Sequence, residues 1–118
     1  MTDTNIKTLE AARVRAAGFR NWILRQVKPD GSCYSMSSAR QYVAQLRNYA
    51  HKLAPCALDD TNVPEDLFEL DRLLDFDTAV AIIAELPGYD DFIAGNHGNF
   101  IAAATLYHRF MEERRRGR

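Results

Sequence analysis

Apolar residues recur along this chain in steps of three and four and never in sustained alternation, a period that predicts helices and no strands. Ile6, Leu9, Ala12 with Val14, Ala16, Phe19, Ile23 and Val27 form the first stripe, beside which lies Trp22. They predict a helix from Asn5 to Val27, capped by Thr4 and stopped by the Pro and Gly of KPDGS. Gly18, in mid-helix, marks a candidate close crossing. A second stripe runs through Ala39, Tyr42 with Val43, Leu46, Tyr49 with Ala50, and Leu53. Ser35 is its natural N-cap and Pro55 its stop.

Beyond a long loop over residues 54–66 the helical pattern becomes shorter. VPEDLFELDRLL predicts a Pro-initiated turn or short helix. DFDTAVAIIAEL predicts a third clear helix, capped by Asp75 or Asp77, with Leu73, Leu74, Val80, Ile83 and Leu86 turned inward. Pro87-Gly88 ends it, and residues 89–94 add one further turn. The last helix is predicted from His97 to Arg115 with Asn96 as cap, its inner stripe being Phe100, Ala103 with Ala104, Tyr107, and Phe110 with Met111. The expected fold class is therefore all-α: a compact bundle of four main helices plus one or two short ones, forming one domain over residues 1–118. The basic tail 114–118 is a candidate for disorder.

Composition adds constraints of its own. At 118 residues, 47% hydrophobic and 26% charged, the chain is long enough for a core and too apolar for disorder. No apolar run reaches membrane-spanning length and no secretory signal opens the chain, so a cytoplasmic location and no membrane partner are expected. Cys33 and Cys56 flank the second helix, and both are expected to be reduced. Neither the cysteines and histidines nor the acids of residues 59–77 have metal-site spacing, so no metal and no cofactor are expected. No phosphate loop, HExxH or nucleophile elbow occurs, so no catalytic residue is assigned and the chain is not expected to be an enzyme.

The net charge of −1 hides a strong segregation. Residues 1–52 carry nine Lys or Arg against three acids, whereas residues 53–113 carry two against thirteen, and the tail adds four arginines. One half thus suits an anionic partner and the other a cationic one, while two copies meeting head to tail would make a homodimer. On the solvent side of the second helix stand Arg40, Gln41, Gln45, Arg47 and Asn48, types that hydrogen-bond phosphates and base edges, with Ser37 and Ser38 near its N-terminus.

Phe19-x-x-Trp22-Ile23, followed by Ser35 and the helix bearing Tyr42, Leu46, Tyr49 and Leu53, resembles the N-terminal core-binding domain of tyrosine recombinases and phage integrases. The later AIIAEL and the stretch from His97 through Tyr107 to Phe110 fit the same pattern, and the His-Gly-Asn-aromatic start looks like the variant fused to HNH-type restriction nucleases. Met36 stands where the family often has proline. The resemblance spans about residues 15–114 and implies a core-binding-domain fold from a phage or mobile element, acting on double-stranded DNA or beside a nuclease. The family's catalytic domain, with its nucleophilic tyrosine, has no counterpart in these residues, so strand exchange is not expected. The DNA-facing residues it implies are Ser37, Ser38, Arg40, Gln41, Gln45, Arg47, His97 and Asn99, with weaker phosphate contacts from Arg13, Arg20, Lys28, Arg114, Arg115 and Arg116. The alternative function is a protein–protein adaptor or inhibitor that docks the acidic segment 59–91, through Asp59, Asp60, Glu65 and Asp66, onto a basic nuclease or nucleic-acid-binding protein.

Overall fold

Stripes of period 3.6 bury one face of a helix only if other helices cover it, and the computed structural model has that arrangement. It describes residues 3–53 and 61–117, with side chains from residue 8 onward. The elements are α1 (Asp3–Leu24), α2 (Met36–Lys52), a 3-10 turn (Leu67–Glu69), α3 (Leu73–Ala84), α4 (Tyr89–Gly95) and α5 (Asn99–Arg116). This is an all-α bundle. Helix α2 packs on both α1 and α5, the 3-10 turn packs on α1 and α2, and α3 and α4 lie against α5.

Helix α2 starts where its chemistry dictates. Ser35 sits in extended backbone, and its Oγ accepts a 3.0 Å hydrogen bond from the Ser38 amide. Ala39, Leu46, Tyr49, Ala50 and Leu53 are buried from its stripe. On α5 the whole predicted stripe is buried, joined by Leu106. From α1 the buried residues are Ala12, Ala16, Phe19, Trp22 and Ile23. Their rings meet those of the other elements: Phe19 lies 5.1 Å from Tyr107, 5.6 Å from Phe110 and 6.0 Å from Phe68, centroid to centroid.

Several expectations need correction. Val27 does not continue α1: the helix ends at Leu24, and Val27 instead pairs with Cys33 in an isolated antiparallel bridge, the only extended pairing among the described residues. Pro29 disfavours helical backbone at Lys28, and the reversal is closed by the Lys28 amide donating to the Ser32 carbonyl at 2.8 Å. Val14 and Val27 are 71% and 64% exposed, Leu9 is exposed too, and the side chain of Ile6 lies outside those described. Thr4 is already inside α1 rather than before it. Gly18 faces Phe110, but an added Cβ would meet that ring at 3.6 Å, an ordinary contact, so the crossing does not demand glycine.

At the start of α3 neither aspartate caps. Arg72 holds the cap position without a side-chain bond, and α3 begins two residues before Asp75. That rotates Leu74 to the surface, 76% exposed, and Phe76 and Ala79 into the core beside Ile83. Asn96 closes α4 rather than opening α5. The chain turns through left-handed His97 (φ 55°) and Gly98 (φ 76°), and Gly98 becomes the N-cap. The tail arginines Arg114, Arg115 and Arg116 belong to α5.

Two buried tyrosines differ in their hydroxyls. Tyr49 donates a 2.6 Å bond to the Pro64 carbonyl, whereas the Tyr107 hydroxyl has no partner among the described residues. Burial pushes both phenols up, Tyr107 to about 12. Tyr49→Phe is expected to cost about 1 kcal/mol, because it strands a carbonyl. Tyr107→Phe, which removes an unpaired buried hydroxyl, is expected to be neutral or stabilising. Urea midpoints of the two variants check this; a larger loss for Tyr107→Phe would contradict the assignment.

Candidate nucleic-acid interface

Seven residues separate Arg13 from Arg20 on α1 and Arg40 from Arg47 on α2, roughly 10 Å or two turns in each case. Each pair therefore points from one helix face. The reversal between Leu24 and Met36 folds α2 back on α1, and the two faces meet along one open cleft of about 280 Å³. All four arginines line it, with Ala16, Ala17, Val43 and Ala44 forming its apolar part and Asn48 at its edge. Small alanines on both helices are what let the arginines stand along the rim rather than being crowded out.

Among the described residues no acidic side chain lines the cleft. Among the described residues none of its four arginines is in an ion pair, and the buried Arg20 Nε has no hydrogen-bond partner among them. Four like charges held together without a counter-charge raise the local potential, which an incoming anion relieves. Guanidinium forks suit phosphate oxygens in particular, by two parallel N–H···O bonds.

The other basic residues have different surroundings. Arg15 is occupied structurally: its Nε donates to the Phe68 carbonyl at 2.7 Å and its Nη2 to the Glu69 carbonyl at 3.2 Å. Lys28 lies over the Tyr34 ring at 5.3 Å. Arg116 pairs with Glu112 at 2.9 Å. Arg114 and Arg115 line a separate cleft with Arg15 and Arg72, in which Asp71 and Asp75 offset part of the positive charge. The expected set of phosphate contacts thus divides: Arg13 and Arg20 join Arg40 and Arg47, while Lys28 and the tail arginines line other surfaces.

Among the α2 residues, Ser37 and Gln41 are exposed but do not line the cleft. The Ser38 hydroxyl is engaged with Ser35 Oγ at 3.1 Å. Gln45 faces a neighbouring pocket between α2 and α4. His97, in the α4–α5 turn, and Asn99, the first residue of α5, line neither. No protein-family model, no curated protein and no solved structure matches this chain. Geometry and charge are therefore what bear on its function.

The acidic residues are partly engaged in holding the fold. Asp66 caps the 3-10 turn, accepting from the Phe68 amide at 2.9 Å, while Glu65 is exposed. Burial pushes the Glu69 carboxyl up, with Asp66 and Glu65 adding to it. Asp77 Oδ1 lies 2.9 Å from His108 Nδ1, tying α3 to α5, and Glu112 is 3.4 Å from the other ring nitrogen. Asp59, Asp60 and Cys56 lie outside the described residues, and Cys33 is an exposed free thiol. Among the described residues no group of His, Cys, Asp and Glu is arranged to hold a metal ion, and no helix is long and apolar enough to cross a membrane.

Proposed function

We propose that this chain is a non-catalytic DNA-binding module that grips the phosphate backbone of duplex DNA in the cleft between α1 and α2. One observation carries the reading: four arginines from two helices line a single cleft with no carboxylate from the described residues among them. The aromatic core beneath α1 holds backbone positions fixed, so the ordering cost on binding is confined to the arginine side chains. Its resemblance to the core-binding domains of recombinases points the same way, toward a part of a phage or mobile-element system that holds DNA while another domain or a nuclease partner acts. On this reading base specificity is secondary, because the arginine set addresses phosphates rather than base edges.

Docking of the acidic segment onto a basic protein has weaker support. Asp66 is engaged in capping and Asp77 with His108, which leaves fewer free carboxylates there than the charge count suggests.

Chemical-shift mapping with a short mixed-sequence duplex tests the proposal. The amides of Arg13, Ala17, Arg20, Arg40, Ala44 and Arg47 are expected to move together. Shifts confined to α3, α4 or the tail would overturn it.

A further inference from the structure

Beyond the arginine cleft, α2 borders a second pocket of about 390 Å³, shared with α4 and the turn that follows it. We infer that this pocket receives one unpaired nucleobase, so that the surface holds a strand by its phosphates and reads a base that has left the stack. The inference rests on the proposed DNA binding and deepens it.

Three features carry it. The pocket adjoins the arginine cleft, since Ala44 and Asn48 line both. A nucleotide whose phosphate lies on Arg47 thus sits beside Gln45 and Asn48, its neighbours on α2. The wall is aromatic and fixed: Tyr49 is anchored through its hydroxyl to the Pro64 carbonyl, and Tyr49 and Phe92 both pack on Phe100, at 5.7 and 5.3 Å. The polar lining combines the amides of Gln45, Asn48 and Asn96 with the charged side chains of Lys52 and Asp91. At Asn96 both the amide nitrogen and the amide oxygen are shielded from solvent and without a partner among the described residues. A buried donor and acceptor on one side chain, both unsatisfied, are costly in a native fold unless a ligand or water completes them.

The chemistry narrows the ligand. A flat heteroaromatic ring satisfies an apolar wall and a set of amides together, as adenine does through one donor and one acceptor against an asparagine or glutamine. Asp91 only accepts and Lys52 only donates, so their preferences offset, and it is the asparagine and glutamine amides, suited to adenine N6 and N7, that favour adenine over thymine. An intact duplex must first unstack the base, so bulged DNA, in which that cost is already met, binds better.

Fluorescence anisotropy at low salt compares three duplexes: perfectly paired, with one bulged adenine, and with one bulged thymine. The adenine bulge is expected to bind about tenfold more tightly than the perfect duplex, and the thymine bulge less so. Asn96→Leu and Gln45→Ala should each reduce that preference and leave perfect-duplex affinity unchanged, with circular dichroism reporting the fold. Gln45→Ala stands alone if Asn96→Leu does not fold. Equal binding of all three duplexes, or a preference that survives Gln45→Ala, overturns the inference while leaving the phosphate grip intact. Should no duplex bind, the grip itself fails, and adenosine monophosphate is titrated against the labelled protein. Shifts at Gln45, Asn48 and Asn96 would then show the pocket taking a free nucleotide, and their absence would overturn the pocket as well.

Discussion

Phe19→Ala is expected to cost about 3–5 kcal/mol of stability, the range for emptying a fully buried aromatic site. Phe19 is fully buried, and its ring is within 6.2 Å of Trp22, Phe68, Tyr107 and Phe110, centroid to centroid. These neighbours come from α1 itself, the 3-10 turn and α5, so the cavity opens where three elements converge. They cannot collapse into it together without moving α1 off α5, and the edge-to-face contact with Tyr107, worth about 0.5–1.5 kcal/mol, is lost as well. For a domain whose total stability is about 5–15 kcal/mol, this approaches unfolding. Val14→Ala on the same helix, at a 71% exposed position, is expected to stay within about 0.5 kcal/mol. Urea denaturation of both variants decides it: a loss below about 1.5 kcal/mol for Phe19→Ala would mean that the aromatic cluster is not the core.

Replacing Arg40 and Arg47 together by alanine is expected to weaken duplex binding about a hundredfold at 50 mM salt, by removing about two of four phosphate neutralisations. The reasoning is counterion release. Each neutralised phosphate contributes about 0.9 to the slope of log affinity against log salt, so four arginines give a slope near −3.6 and two give near −1.8. Both side chains are exposed and neither is in an ion pair among the described residues. The double variant should therefore keep the wild-type melting curve. A variant that binds as tightly as wild type would move the interface off α2.

Helices α2 and α5 were legible in the sequence because a single face of each is buried and nothing interrupts the period. The end of α1 was not. Val27 falls in phase with Ile23, yet Pro29 two residues on and the pairing of Val27 with Cys33 draw it into the reversal. Periodicity reports spacing, and it has no means of reporting a hairpin that happens to keep phase. The starts of α3 and α5 failed for a related reason. Asp75, Asp77 and Asn96 are residue types that cap helices well, but the elements begin at Leu73 and Asn99, and the last turn is made by left-handed backbone at His97 and Gly98.

The candidate site was half legible. Arg13, Arg20, Arg40 and Arg47 were each identifiable as basic surface from the charge segregation. Their convergence in one cleft is a tertiary fact, set by how α2 folds back on α1 and by the small size of Ala16, Ala17 and Ala44. Ser37, Gln41, His97 and Asn99 had the right chemistry for DNA but lie away from that cleft. Asn96 carried the opposite signal: its type suggests a cap, and only the packing of α4 against α5 leaves its amide buried without a partner among the described residues.

The most direct test is the affinity of the wild-type protein for a labelled mixed-sequence duplex, measured by fluorescence anisotropy at 50 and 200 mM salt. A four-arginine phosphate grip predicts binding at the lower salt that falls about 150-fold at the higher. No binding at 50 mM salt, or binding that is indifferent to salt, would contradict it.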